Sequence, residues 1–274
     1  MRLSPTLQQV LLGASALIIA GSTVVPGHEE SRPVVDAAVS LVGANTTHLR
    51  NAVSPTTKTL DDEVASETKG ALEAFVSLVR PLSHPDALKD AFTSYFAYKA
   101  AHPNEVKKPY LYFVDYGLPS TAKRGYVFDM EAMKIVDGPF TVAHGRGSST
   151  SRYGVPTRFS NASGSNSTSL GLYVTRALYD FHGKSGGQRY SSVGLRLDGV
   201  STGFNDNALD RGVVAHGAPY VTPTKAGRSE GCPAMEPSRA KKLLPKLAQG
   251  AMVFLFAPNE KWMDSDPWIS ADAG

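Results

Sequence analysis

From Tyr110 onward the chain is cut into short β-prone runs by turn-forming residues, and this pattern constrains the fold more than any other. "YLYFVDY" begins at Tyr110, and "GYVFDM" and "KIVDGPFTVAHG" follow it. Apolar runs of the same kind recur at Leu170 to Thr175, Val193 to Leu197, Gly212 to Ala215 and Ala251 to Ala257. Short strands joined by Gly- and Ser-rich loops predict a mainly β domain over 107–257. One helix should interrupt it near 237–249, where Pro237 sits early, Leu243, Leu244 and Leu247 share a side, and Gly250 ends the run. Ahead of the β domain, Val64, Leu72, Phe75, Val76 and Val79 fall near helical spacing, and Leu88, Phe92, Tyr95 and Phe96 line one face of Ala87 to Ala101. These give two helices within a 63–106 segment. The predicted fold class is therefore mainly β with peripheral helices (α+β), and the tail at 258–274 carries no assignable element.

The N-terminal end reads differently. Arg2 precedes an apolar stretch from Val10 to Ala20, and the small residues Gly21 and Ser22 follow. A basic start, a short apolar run and a small-residue exit predict a secretory signal peptide over 1–22, with an uncleaved anchor as the alternative. Residues 23–62, rich in Thr, Ser, Pro and Asp without a sustained period, read as a flexible linker. Of the 274 residues, 42% are apolar and 19% charged, enough for a sizeable core. The net charge of +3 is not gathered into any Lys/Arg block, so a nucleic-acid partner is not expected. A membrane partner enters only through an uncleaved N-terminal segment.

Export makes the single cysteine, Cys232, unusual. Thiols in an oxidising compartment occur mostly in pairs, and a leftover one points to an intermolecular bridge, a working thiol or a small buried hydrophobe. Its setting, "GRSEGCPAM", places glycine beside the thiol, where substrate can approach the backbone and amides can hold an oxyanion. A thiol becomes a nucleophile when a neighbour stabilises its thiolate, most often histidine. His216 closes the β-type run in "GVVAHGAPY", and the glycine-, proline- and threonine-rich loop between it and Cys232 is long enough to fold back.

"HGAPYVTPTKAGRSEGCPAM" resembles the signature of the L,D-transpeptidases of the YkuD type, most closely the divergent murein L,D-transpeptidase catalytic domain family. "VAHGRGS", "FSNASGS", "SLGLY", "GFNDNALDRGVVAHGA" and "GRSEGCPA" resemble successive blocks of that family in order, from about Leu82 to Ala257. The resemblance implies an L,D-transpeptidase-like β-sandwich preceded by two helices. It implies peptidoglycan stem peptides as partners, a cysteine acyl-enzyme, no cofactor and no metal. Carried over, Cys232 is the nucleophile and His216 its base. Gly217 holds the place whose backbone orients the ring, and the Gly231 and Cys232 amides contribute to the oxyanion hole. Two residues depart from the common pattern: Glu230 stands where a histidine is usual, and Ala234 lies near a position where arginine or asparagine often follows. The same acyl-enzyme resolved by water would make an L,D-carboxypeptidase or endopeptidase, and a buried, inert Cys232 would leave a non-catalytic peptidoglycan-binding protein of the envelope.

Other polar residues are candidates for substrate binding. His144 in "VAHGRGSS" also follows a β run and is expected to face the same cleft. Arg146, Arg211 and Arg228 suit peptide carboxylates, which guanidinium binds bidentately. Ser229 is expected to bond locally near the nucleophile loop. The expected export, together with the peptidoglycan partner and bacterial host that the resemblance implies, places the expected location in the periplasm or cell envelope of a bacterium.

Overall fold

In the computed structural model, residues 55–269 are described, and the expected signal segment at 1–22 and the linker up to 54 lie outside them. Among the described residues no helix is long and apolar enough to cross a membrane. Two helices come first, α1 (Pro55–Phe75) and α2 (Ala87–Ala101). The first begins inside the stretch expected as linker and stops before Val76 and Leu78, which are exposed. Its opening residues are polar, so no apolar period marks them.

The strands then follow in chain order. They are β1 (Tyr110–Asp115), β2 (Gly125–Asp129), β3 (Lys134–Phe140), β4 (His144–Gly145), β5 (Gly171–Ser185), β6 (Gln188–Gly199) and β7 (Val214–Gly217). The short β8 (Val221–Thr222), β9 (Lys225–Ala226), β10 (Arg228–Ser229) and β11 (Ala234–Met235) come next, and helix α3 (Pro237–Leu247), strand β12 (Met252–Phe256) and helix α4 (Glu260–Met263) complete the chain. Eight strands form one mixed sheet in the order β11-β7-β6-β5-β12-β1-β2-β3, which makes the architecture mainly β with peripheral helices.

Aromatic packing sets where the helices sit. Phe128 on β2 meets Phe75 of α1 at 4.7 Å and Phe92 of α2 at 5.5 Å between ring centroids. All three rings are fully buried, so the helices share one core with the sheet. Truncating such a ring costs about 3–5 kcal/mol. This core lies toward β1, β2 and β12, at the other end of the sheet order from β7 and β11. Helix α3 packs at that second end, burying Leu243, Leu244 and Leu247 with Pro237 at its start. The tail, unassigned from sequence, is tied into the structure: the Trp262 Nε1–H donates to Asp266 and the Trp268 Nε1–H to the Val200 carbonyl.

One long hairpin departs from the expected runs. Strands β5 and β6 continue well past Thr175 and begin well before Val193, pairing from Tyr173–Gly199 out to Ser185–Gln188. Gly186 and Gly187 form the turn with φ of 56° and 83°, a conformation that glycine adopts without strain.

Helix α2 also holds a buried acid. Burial, with the Asp86 carboxylate adding to it, pushes Asp90 from 3.8 up to about 7, and its Oδ2 has no hydrogen-bond partner among the described residues. A carboxyl raised in the folded state stabilises the fold fully below pH 3.8 and loses that contribution as pH rises through about 7. Denaturant titrations of the wild type should therefore show stability falling across this window. Asp90→Asn should flatten the fall, by on the order of a few kcal/mol. Superimposable pH profiles would refute the assignment.

Candidate active site

The site is built on the shortest strands. β7 pairs antiparallel with β6, Gly194 opposite His216, and parallel with β11, Ala234 opposite His216 and Met235 opposite Gly217. Cys232 lies two residues before Ala234, and the Val214 backbone bonds to its thiol. One ladder thus sets the loop that carries Cys232 against the strand that carries the histidine.

The His216 ring is held from two directions. Nδ1 lies 3.0 Å from the Gly217 carbonyl, and the ring stacks on Phe181 at 4.0 Å. A carbonyl can only accept, so Nδ1 carries the proton and Nε2 keeps its lone pair. Burial lowers the His216 pKa to about 4, with the Gly217 bond opposing, so the imidazole rests neutral. Gly217 is required by crowding as well, because a Cβ there would lie 2.6 Å from Ser192 Oγ and 2.9 Å from Ala240.

The turn that carries Cys232 is closed by Ser229. Its hydroxyl donates to the Cys232 carbonyl at 2.7 Å and accepts from the Gly231 N–H at 3.2 Å. This bond engages the Gly231 amide, expected in the oxyanion hole, with the Ser229 hydroxyl inside the loop. Gly231 matters instead for its φ of +127°, and a Cβ there would meet the Ser167 carbonyl at 2.9 Å. Ser229, expected among substrate contacts, shapes the turn.

Cys232 is half-buried. Burial raises its pKa above 9.0; the Val214 backbone and the Arg211 guanidinium pull against that rise, and the Glu230 carboxylate adds to it. Burial is the largest influence on both groups and favours the neutral form of each, thiol for Cys232 and imidazole for His216.

Of the remaining candidates, His144 is fully buried, paired in register with Arg228. Its Nδ1 is 3.0 Å from Arg124 Nη2. Arginine only donates, so His144 Nδ1 accepts and its Nε2 carries the proton, as a buried donor with no partner among the described residues. Burial, then Arg124, lowers His144 to about 3. Arg211 is engaged four times over, by the Ser160 and Ser167 carbonyls and the Ser165 and Ser169 hydroxyls. It clamps the 160–169 loop, which makes it a poor receptor for a substrate carboxylate. Arg228 donates to the Ser149 and Thr150 carbonyls, and Arg146 Nε pairs with Glu230 at 2.7 Å on the surface.

Several contributors escaped the sequence reading. Phe181, Tyr179 and Tyr190 reach the site from the long hairpin, and the Gly186-Gly187 turn was the available signal for it. Arg124, fully buried and bonded to backbone carbonyls and His144, has no sequence signature. Burial lowers it to about 10, so it stays charged at neutral pH.

A family model described as L,D-transpeptidase catalytic domain matches residues 81–256, more than half of the chain. No curated protein matches. Among solved structures, the chain is similar to an L,D-transpeptidase from Mycobacterium smegmatis, at 13% identity and TM-score 0.33, over 54% of this chain and 59% of that one. It is similar to one from Xylanimonas cellulosilytica at 15% and 0.32, over 54% and 61%. It is also similar to one from Stackebrandtia nassauensis at 16% and 0.32, over 74% and 91%. The chain thus spans less than two thirds of the first two.

Replacing Gly231 by Ala should strain the turn by about 1–3 kcal/mol. The expected outcome is a slower reaction of Cys232 with a thiol reagent while far-UV circular dichroism is unchanged. Reactivity equal to wild type would show that the turn tolerates a side chain.

Proposed function

This chain belongs to the L,D-transpeptidase catalytic domain family, and from that premise we propose that it is an exported transpeptidase working on peptidoglycan stem peptides through a Cys232 acyl-enzyme. The observation that carries the reading is the tautomer of His216: Nδ1 is committed to the Gly217 carbonyl, so Nε2 is a base, on a strand paired with the nucleophile loop. Burial keeps that base unprotonated at neutral pH.

In the proposed reaction His216 Nε2 takes the thiol proton as the sulfur attacks the carbonyl of an L,D peptide bond. The new S–C bond pushes charge onto the carbonyl oxygen, and the Cys232 N–H is the loop amide assigned to receive it. Collapse breaks the C–N bond, and the imidazolium returns its proton to the departing D-amino acid. An amine from a second stem then attacks the thioester, giving its proton to His216, and the thiol is regenerated when that proton returns to sulfur. His144 Nε2–H is a further donor held at the edge of this loop, through the β4–β10 pairing. Export is supported by Arg2 and the apolar run from Val10 to Ala20, and the proposed location is the periplasm or cell envelope.

Incubation with disaccharide tetrapeptides, read by mass spectrometry, tests the reading. Cross-linked dimers are expected. Cys232→Ala should abolish them, and His216→Ala should slow acylation by about 10²–10⁴-fold. Tripeptide products without dimers would instead make the protein a hydrolase, and no acyl adduct on Cys232 would overturn the mechanism.

A further inference from the structure

A second feature adjoins the nucleophile turn. Arg146, Arg152, Lys184 and Arg228 converge with Tyr220 on a cavity of about 270 Å³. They come from four separate places: the end of β4, the loop after it, the tip of the long hairpin, and β10. Among the described residues Arg152, Lys184 and Arg228 form no ion pair, and Arg146 has Glu230 alone. Four cations facing one small space repel one another, and the arrangement is relieved when anions enter.

The cavity also communicates with the thiol. Arg228 precedes Ser229, whose hydroxyl holds the Cys232 carbonyl. Tyr220, whose side chain bonds to Tyr190, is held above its ordinary pKa by burial first, with Tyr190, Cys232 and Glu230 adding to the rise.

We propose that this cavity is a subsite for the free carboxylates of a stem peptide, at least two of them, and that Glu230 competes with the substrate for Arg146. This rests on the stem-peptide reading above. Two considerations set the class of ligand. Guanidinium groups pair bidentately with carboxylates, and more than one cation is left without a counter-ion, so a ligand with a single negative charge leaves the site unbalanced. Glu230 already shows the contact that a substrate carboxylate would make, with its Oε2 2.7 Å from Arg146 Nε. Being exposed, that pair contributes little to stability, so it can be exchanged. The acid that stands in this loop in place of the usual histidine thereby becomes a specificity element.

The test uses the full chain carrying Cys232→Ala, so that binding is measured without turnover. Calorimetric titration with a stem tetrapeptide bearing free side-group carboxylates is compared with the same peptide amidated at those groups. The amidated peptide should bind about tenfold more weakly, as expected for lost charge-assisted contacts. Adding Arg152→Gln and Lys184→Gln should erase most of that difference, and Glu230→Gln should tighten the free-acid peptide. Equal affinities for the two peptides, or a difference untouched by the double substitution, would overturn the subsite. An unchanged or weakened free-acid peptide in Glu230→Gln would overturn the competition. Acylation of wild-type Cys232 is followed separately by intact mass: its absence counts against the acyl-enzyme reading, whereas acylation without a binding difference removes the subsite alone.

Discussion

The parallel pairing of β7 with β11 is the contact on which the site depends. It is only two residues long, Ala234 against His216 and Met235 against Gly217. Yet it joins the strand that carries the base to the loop that carries the thiol. β7 is itself fixed by β6 on its other edge and by α3, whose Pro237 and Ala240 press against Gly217 closely enough to exclude a side chain there. The sheet, held at its far end by the aromatic core around Phe128, acts as the rigid support, and the chemistry sits on short segments at its margin.

Burial governs the electrostatics of that margin. It lowers His216 and His144 and raises Cys232, so all three rest uncharged. A charged resting pair would need desolvation of both ions, which their mutual attraction repays only with favourable geometry and further hydrogen bonds. The cations gather instead a short distance away, around the cavity lined by Arg146, Arg152, Lys184 and Arg228. In the proposed reaction a neutral centre beside the proposed cationic subsite would divide the work, the subsite attracting and orienting an anionic ligand while the centre exchanges protons.

Much of this was legible in the sequence, for physical reasons. The core strands are runs of apolar and aromatic residues bounded by turn formers, so the mainly β class could be read directly. The outer half of the β5–β6 hairpin could not, because Arg176, Asp180, His182 and Lys184 face solvent and break the apolar run. Only the Gly186-Gly187 pair marked it. The polar opening turns of α1 were hidden in the same way. At the site, the lone thiol and the histidine before a flexible loop drew attention to Cys232 and His216. Their relative placement rests on a two-residue strand, too short to carry a periodic signal. Arg211 shows the reverse error: an arginine in a loop resembles a ligand receptor until its four acceptors are seen.

The claim at the centre of this account is that Cys232 and His216 rest as thiol and neutral imidazole. It is tested most directly by the pH dependence of Cys232 alkylation in the wild-type protein, followed by intact mass. The expected profile is a single rise with its inflection above pH 9.0, set by the buried thiol. A thiol already fully reactive through the neutral range, with an acid limb near pH 4, would reveal a preformed thiolate–imidazolium pair and contradict the account.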